Sequence, residues 1–228
     1  MTRERADVVA VGLTGGIGAG KSTALGFFAE AGALTLSADQ VVHDLYLRDD
    51  VKKSLALQFG PEVLDAEGQV DRRRLAALVQ GRRDDLARLE IITHPLVARE
   101  IRRFIAEAPA GAVVVCEVPL LFETGWQGLF DVVVTVEAGA DARRGRSVHA
   151  FGLDQFGELE ALQASSERRV AGADLAFLND GHIEHLRAFV RHAYERARTL
   201  VAAPQSGGAI DAPKGAAAAS PSGAGGAA

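Results

Sequence analysis

The stretch VVAVGLTGGIGAGKST, residues 8–23, constrains the fold more than any other part of this 228-residue chain. A run of β-favouring residues leads into a glycine-rich turn, and a helical pattern begins near Lys21. Gly15, Gly20, Lys21 and Ser22 fit the pattern G-x-x-x-x-G-K-[ST] of a phosphate-binding loop. The alternative is a loop that only reverses the chain, but the strand before it and the helix after it argue against that. The sequence therefore predicts a site for a nucleoside triphosphate.

Each part of this loop has an expected role. Glycines leave no side chain between the backbone amides and a phosphate, and the amides at a helix start attract anions. Lys21 is expected to reach the β- and γ-phosphates, and Ser22 is expected to ligate Mg²⁺. The predicted ATP-binding residues are Gly16, Gly18, Ala19, Gly20, Lys21, Ser22 and Thr23.

Strand-like runs alternate with helical patterns along most of the chain. The predicted strands are 8–13, 33–36, 112–118 and 131–136, with 174–178 as a weaker candidate. The predicted helices are 21–31, 51–59, 73–79, 84–108, 140–150 and 182–201. Pro95 predicts a break or kink near Thr93–His94. Apolar strands that alternate with helices predict an α/β fold, in which helices flank a parallel sheet.

Composition argues against several classes of protein. The formal net charge of −5 argues against binding nucleic acid through overall charge, and no apolar run is long enough to suggest a membrane span. The first residues lack the apolar stretch of a signal peptide. Cys116 is the single cysteine, so no internal disulfide can form, and we expect a cytoplasmic protein with a buried, inert thiol. Residues 204–228 are mainly Ala, Gly, Ser and Pro, which predicts a disordered low-complexity tail.

Acidic residues follow two of the predicted strands. Asp39 comes directly after the second strand, at the sheet edge where ligands bind in open α/β folds. It could accept a proton from a substrate hydroxyl, or it could cap the helix that follows. Glu117 ends the third strand, where a carboxylate typically holds Mg²⁺. Glu123 could contact substrate, although we favour a local structural role.

Several stretches resemble the dephospho-coenzyme A kinase family over about residues 8–200. The pieces Thr-His-Pro-Leu and Pro-Leu-Leu-Phe-Glu are not general features of phosphate-loop enzymes. The matching stretches are GLTGGIGAGKST at 12–23, Ala38-Asp39 in SADQVV, FG at 59–60 followed by GQVDRRRL, ITHPLV at 92–97, VPLLFE at 118–123 and ADLAFLND at 173–180.

The resemblance implies that ATP phosphorylates the ribose 3′-hydroxyl of dephospho-coenzyme A, a small-molecule substrate. It also implies a phosphate-loop, nucleoside-monophosphate-kinase-like domain over residues 1–203. Within that domain an acceptor-binding helical region covers about 45–110 and a lid covers about 143–170. The implied catalytic residues are Asp39, Lys21 and Arg146, and the implied acceptor contacts are Arg72, His94, Pro119 and Leu120. A structural histidine and a solvated helix face remain the alternatives for His94 and Arg72.

The lid departs from the family pattern. Ala150 and Leu159 stand where arginines are usual, and Ser37 replaces the first residue of an acidic pair. Arg169 stands where a basic residue is common. Arginines near a transferring phosphate contribute strongly to the rate, so two alternatives stay open. One is a kinase of the same fold for another small acceptor, and the other is a nucleotide-binding relative with weak activity. The nearby residues that could replace the missing arginines are Arg143, Arg144, Arg168 and His149.

Overall fold

A computed structural model describes residues 8–151 and 153–202 of the chain. Five strands form one parallel sheet in the order β2-β3-β1-β4-β5. The strands are β1 (Val9–Gly15), β2 (Leu34–Ser37), β3 (Val113–Glu117), β4 (Val132–Glu137) and β5 (Leu175–Leu178). Because all pairs are parallel, the carboxyl ends of the strands meet at one edge, with the end of β1 at its centre. The predicted α/β fold is confirmed.

Helices connect the strands and cover both faces of the sheet. They are α1 (Lys21–Glu30), α2 (Ala38–Leu45), α3 (Asp49–Phe59), α4 (Arg72–Val79), α5 (Arg83–Glu107), α6 (Ala140–Phe151), α7 (Leu153–Ala161), α8 (Ser166–Gly172) and α9 (Ile183–Ala202). Short 3₁₀ turns lie at Pro61–Val63 and Trp126–Leu129. Within the described residues, no helix is both long and apolar enough to span a membrane.

The alternation of side chains along β1 divides the core in two. Val9, Val11 and Leu13 lie in one cluster with Phe28 of α1 and Val190 of α9. The intervening Ala10 lies in the opposite cluster, whose helical members include Val41 of α2 and both Val97 and Ile101 of α5. Successive strand residues point to opposite faces, and both faces of this sheet are covered by helices, so an all-apolar strand is what the fold requires.

Of the break or kink expected near Thr93–His94, the break does not occur. Helix α5 runs without interruption from Arg83 to Glu107, with Pro95 inside it. The proline lacks the amide that would bond the carbonyl of Ile91, whose side chain is 74% exposed. Ile91 and Pro95 are both exposed, so this turn lies on the solvent face of α5, where water can satisfy a free carbonyl. On the preceding turn, Thr93 Oγ1 donates a hydrogen bond of 2.9 Å to the Leu89 carbonyl.

The predicted strands agree with the structure to within two residues at each end, including the weaker fifth one. Helices α7 and α8 were not predicted as separate elements, because short, charged helices in this part of the chain carry little periodicity. The division into a domain at 1–203 and a tail stays a prediction. The predicted tail, 204–228, lies outside the described residues.

Candidate active site

The phosphate-binding loop lies at the carboxyl end of β1, between that strand and α1. Gly20 precedes α1 with φ 107°, and a Cβ there would lie 2.7 Å from Asn179 Nδ2. Gly15 has φ 146°, and its Cβ would overlap the carbonyl oxygen of Val136. Only glycine fits this backbone at both positions. Among the described residues no side chain caps the start of α1, which leaves its first amides available to an anion.

Lys21 lies across the loop. Its Nζ donates hydrogen bonds of 3.1 Å to the carbonyls of both Gly15 and Gly16. Burial lowers the pKa of Lys21, and the carboxylates of Glu117 and Asp39 oppose that shift. The ammonium is therefore buried, held by the loop and close to two acids, so a bound polyphosphate would relieve its desolvation.

Ser22 and Glu117 provide two oxygen ligands beside the loop. Ser22 Oγ donates to Glu117 Oε1 across 3.3 Å. In the register of the sheet, Glu117 is level with Leu13 of β1 and with Ser37 of β2, so it lies between the loop and the start of α2. Burial raises the pKa of Glu117, while Lys21 counteracts this. A hydroxyl next to a carboxylate is the donor chemistry that Mg²⁺ prefers.

Asp39 lies on the same edge of the sheet, in the first turn of α2. The N-cap of that helix is Ser37, so the capping alternative for Asp39 is wrong. The Asp39 carboxylate is exposed and lines a cavity of about 470 Å³ at the loop. Of the predicted site residues, Gly18, Lys21, Ser22, Asp39, His94, Glu117, Pro119 and Leu120 line this one cavity.

Aromatic rings form one wall of the cavity. The rings of His94 and Trp126 meet edge to face, with their centroids 5.5 Å apart. Trp126 was not predicted as a site residue, because it lies in a 3₁₀ turn with no motif around it. Each ring has a flat face, which is the kind of surface on which a nucleobase stacks.

Six predicted site residues do not line the cavity: Gly16, Ala19, Gly20 and Thr23 of the loop and the start of α1, and the arginines Arg72 and Arg146. Arg72 Nη1 lies 3.0 Å from Nδ1 of His43, which is one helical turn beyond Asp39 on α2. Arg146 Nη1 donates to the carbonyls of Gly18 at 3.3 Å and Ala19 at 3.5 Å. Arg146 thus contacts backbone carbonyls of the loop. Phosphates bind to the backbone amides, so Arg146 is not placed at the phosphate-binding side.

The predicted lid region, about 143–170, packs against the loop. Arg143 Nη1 pairs with Glu160 Oε1 at 2.6 Å, which joins α6 to α7, and the Arg143 side chain lies against Gly16. Of the four possible replacements for the missing arginines, Arg143 is thus in contact with the loop, while Arg144 and Arg168 are exposed. The side chains of His149 and Ala150 lie outside the described residues. Leu159 lines the cavity with an apolar side chain.

A buried ion pair lies beside the loop at the end of β4. Arg169 donates to both carboxylate oxygens of Glu137, at 2.7 and 2.6 Å, and Thr135 and Ser166 also donate to that carboxylate. Burial alone would raise the pKa of Glu137, but these bonds outweigh it and lower the pKa. The guanidinium of Arg169 is close to Gly16 and is fully committed to Glu137 and the Ala164 carbonyl. Glu123 accepts a hydrogen bond from the backbone amide of Ala164, a structural contact between segments 41 residues apart.

Two side chains that sequence reasoning missed hold the loop directly. Gln163 Oε1 accepts from the Ile17 amide at 2.7 Å, and its Nε2 donates to the carbonyls of Gly15 and Pro119. Asn179 Nδ2 donates to the Ala19 carbonyl at 2.8 Å. A signal existed for Asn179, since it follows β5 at the edge where Asp39 and Glu117 lie. Gln163 follows a lid helix, and no pattern connects it with a loop almost 150 residues away.

Comparison with known proteins identifies the family to which this site belongs. The family model described as dephospho-CoA kinase matches residues 9–185. The chain belongs to the dephospho-CoA kinase family. It is 38% identical to the dephospho-CoA kinase of Streptomyces avermitilis, over 77% of this chain and 87% of that protein. It is 37% identical to that of Methylococcus capsulatus, over 86% of this chain and 100% of that protein. Membership of the family makes it a phosphate-loop kinase.

Solved structures share the fold of this chain. The crystal structure of TT1252 from Thermus thermophilus superposes with a TM-score of 0.70 at 32% identity, covering 82% of this chain and 97% of that one. The dephospho-CoA kinase from Campylobacter jejuni has a TM-score of 0.59 at 21% identity, covering 84% and 98%. The second similarity shows a shared fold.

Proposed function

We propose that this chain transfers the γ-phosphoryl group of ATP to the ribose 3′-hydroxyl of dephospho-coenzyme A, the last step of coenzyme A synthesis. The proposal rests on one observation. Lys21, Asp39 and His94 line the same cavity, at the phosphate-binding loop of a member of the dephospho-CoA kinase family. A chain with a single cysteine can form no internal disulfide and suits a reducing compartment, so we propose a cytoplasmic site of action.

The loop binds the triphosphate of ATP. The uncapped amides at the start of α1, together with the left-handed Gly20, form a concave donor surface for the β- and γ-phosphates. Lys21 leaves its two carbonyl partners and donates to the phosphates instead. Because its ammonium is already desolvated, it needs little further reorganisation to interact with the developing charge.

Ser22 and Glu117 fit a magnesium site. Their oxygens are 3.3 Å apart, and no group of three or more His, Cys, Asp or Glu side chains in the described part of the chain is arranged to hold a metal. Mg²⁺ suits such a sparse site, since it usually takes one or two protein ligands and completes its shell with water and phosphate oxygens. When bound, it neutralises charge on the β- and γ-phosphates.

Asp39 orients the acceptor hydroxyl. The new bond joins the 3′-oxygen to the γ-phosphorus, and the bond between that phosphorus and the β–γ bridging oxygen breaks, releasing ADP. The hydroxyl proton passes to the Asp39 carboxylate, which is exposed to the cavity and therefore within reach of an incoming alcohol. His94 and Trp126 bind the adenine of the acceptor, while Pro119 and Leu120 line the cavity beside them.

Arg146 and Arg72 have supporting roles in this proposal. Arg146 tethers α6 to the loop through the Gly18 and Ala19 carbonyls, and a modest lid movement brings its guanidinium to the phosphates. Arg72 supports α2 through His43, one turn from Asp39. Closure of a lid over bound substrate is a common step in kinases, and it completes contacts of this kind.

A coupled assay of ADP release tests the proposal. ATP and Mg²⁺ are supplied with dephospho-coenzyme A, adenosine, AMP or pantetheine, and the product is located by ³¹P NMR. We expect rapid release with dephospho-coenzyme A and a new phosphomonoester at the ribose 3′-position. Preference for another acceptor would identify a different kinase of the same fold. ATP binding without acceptor-dependent release would contradict catalysis.

A further inference from the structure

The carbonyl oxygen of Gly15 accepts hydrogen bonds from two side chains at once. Lys21 Nζ donates to it at 3.1 Å, and Gln163 Nε2 donates to it at 3.3 Å. Lys21 also donates to the carbonyl of Gly16. Gln163 also donates to the carbonyl of Pro119, a residue in the wall of the cavity. One backbone oxygen of the loop therefore connects the side chain that meets the phosphates of ATP with a side chain that holds the cavity wall.

The two donors at this oxygen weaken each other. Lys21 is only 9% exposed, so water screens its positive charge poorly. That charge repels the positive hydrogen of the Gln163 amide, and both donors draw on the electron density of the same oxygen. The bond from Gln163, at 3.3 Å, is longer than the usual range of about 2.7–3.2 Å. Removing the ammonium from the Gly15 carbonyl would therefore strengthen the bond from Gln163.

The carbonyl of Pro119 belongs to a segment, 118–126, that forms much of one wall of the cavity. Thr124 Oγ1 donates to the Leu120 carbonyl at 2.8 Å, and the Trp126 amide donates to the Leu121 carbonyl at 3.1 Å. These bonds hold the segment together internally. Gln163 attaches its first residues to the phosphate-binding loop. The segment members that line the cavity are Val118, Pro119, Leu120, Thr124 and Trp126.

We propose that Gln163 is a positioning residue that makes the binding of ATP and the binding of the acceptor mutually favourable, an inference that rests on the proposed function. When the phosphates of ATP draw Lys21 away, the Gly15 carbonyl is left to Gln163 alone. The Gln163 amide then holds Gly15 and Pro119 more tightly, which fixes the wall segment against the loop. The acceptor nucleoside binds to a wall that is already ordered.

The Gly15 carbonyl is the element with two states in this coupling. It has two donors before ATP binds and one donor afterwards. ATP favours the second state because its phosphates compete for Lys21, and the acceptor favours it because the ordered wall faces the cavity. Two ligands that favour the same state raise each other's affinity, and they do so by the same factor.

Calorimetry measures the coupling factor without relying on turnover. The Kd for dephospho-coenzyme A is determined alone and with a saturating β,γ-imido analogue of ATP and Mg²⁺. We expect the analogue to lower this Kd at least about fivefold in wild type. Saturating dephospho-coenzyme A should lower the Kd for the analogue by the same factor. Independent binding of the two ligands by wild type would overturn the proposal.

Two replacements of Gln163 test its part in this factor. Gln163→Met keeps the length of the side chain and removes all of its hydrogen bonds. Gln163→Glu keeps an oxygen that can accept from the Ile17 amide but loses the donor to Gly15 and Pro119. We expect the coupling factor to fall to near one in both variants. A purely structural role would change the two affinities but leave the factor at its wild-type value, and that result would overturn the proposal.

Gln58→Met is the matched control for these variants. Gln58 is an exposed glutamine of α3 that does not line the cavity, so its replacement should leave the coupling factor unchanged. Release of ADP by wild type with dephospho-coenzyme A is measured first. Without that release the proposed function fails, whereas release without coupling overturns only the role of Gln163.

NMR of the side-chain amide of Gln163 tests the shared oxygen directly in wild type. The ¹⁵N–¹H signals are assigned through the covalent connections of the side chain. We expect the analogue alone to move one amide proton downfield, because its bond to the Gly15 carbonyl strengthens. In Lys21→Met the downfield position should be present without any nucleotide, since the competing donor is gone. An upfield or unchanged position in Lys21→Met would overturn the proposal.

Discussion

The side-chain oxygen of Gln163 accepts a hydrogen bond of 2.7 Å from the backbone amide of Ile17 in the phosphate-binding loop. The amide nitrogen of the same side chain donates to the carbonyls of Gly15 and Pro119. Gln163, which lies two positions beyond the end of α7, therefore joins the loop, the segment that follows β3 and the predicted lid region. The position of the lid and the shape of the loop are coupled through this side chain.

Replacing Gln163 with alanine should loosen that coupling. We expect kcat/KM for ATP to fall about tenfold, since three partly buried hydrogen bonds worth about 0.5–1.5 kcal/mol each are lost. Steady-state kinetics with varied ATP measures the effect. Gln127→Ala, in the 3₁₀ turn, is the control and should behave as wild type. An unchanged kcat/KM for ATP in Q163A would show that the lid is positioned by other contacts.

Replacing Asp39 with asparagine should separate binding from chemistry. The amide keeps the size of the carboxylate but cannot take the hydroxyl proton, so turnover should fall by about 100-fold or more. ATP affinity, measured by calorimetry, should stay near the wild-type value. Asp44→Asn changes an exposed aspartate near the end of the same helix, one that bonds only Gln40 among the described residues, and should retain activity. Normal turnover in D39N would remove Asp39 from the proposed role.

Replacing Glu137 with glutamine should change how the free energy of unfolding depends on pH. The pKa of Glu137 is lowered in the folded state. The stabilisation from its pair with Arg169 is therefore fully present when the pH is above 4.5, the ordinary pKa of a glutamate. That contribution is lost as the pH falls through the lowered pKa. Near neutral pH we expect E137Q to lose about 3 kcal/mol, because Arg169 remains buried without a counter-charge.

Thermal unfolding across a pH series measures this effect. The difference in Tm between wild type and E137Q should narrow as the pH falls below 4.5. Asp50→Asn, which breaks the exposed pair with Arg48, should change Tm little at any pH. A Tm difference that is constant with pH would assign the loss to packing rather than to charge.

Truncation after Ala203 should leave activity unchanged. The removed segment, 204–228, has a composition too poor in packing residues to contribute to a folded core. The measurement is kcat and KM for both substrates in the full chain and in the truncated chain. A marked loss of activity would show that the tail contributes to the site.

Local patterns predicted the fold well. Strands buried on both faces are apolar along their whole length, so β1, β3 and β4 are visible without any tertiary information. Pro95 shows the limit of such rules, because its cost depends on whether the carbonyl of Ile91 faces water. The sequence contains the proline but does not indicate which side of the helix will be exposed.

The candidate site was predictable to the extent that its residues follow strands. Asp39 and Glu117 stand at strand ends, and parallel pairing necessarily brings those ends together. Gln163 and Trp126 do not stand at such positions. Their places depend on how α5 and α7 pack over the sheet, and long-range packing of this kind leaves no local pattern.

Cys116, the single cysteine of the chain, is fully buried in β3, and burial raises the pKa of its thiol to about 12. The proposed substrate and product both end in a free sulfhydryl. An accessible thiolate on the enzyme would be captured by either of them whenever the cell becomes oxidising, and would remain blocked until reduced. With its own sulfur protonated and enclosed, the protein can handle sulfur-bearing metabolites through oxidative stress without becoming covalently attached to them.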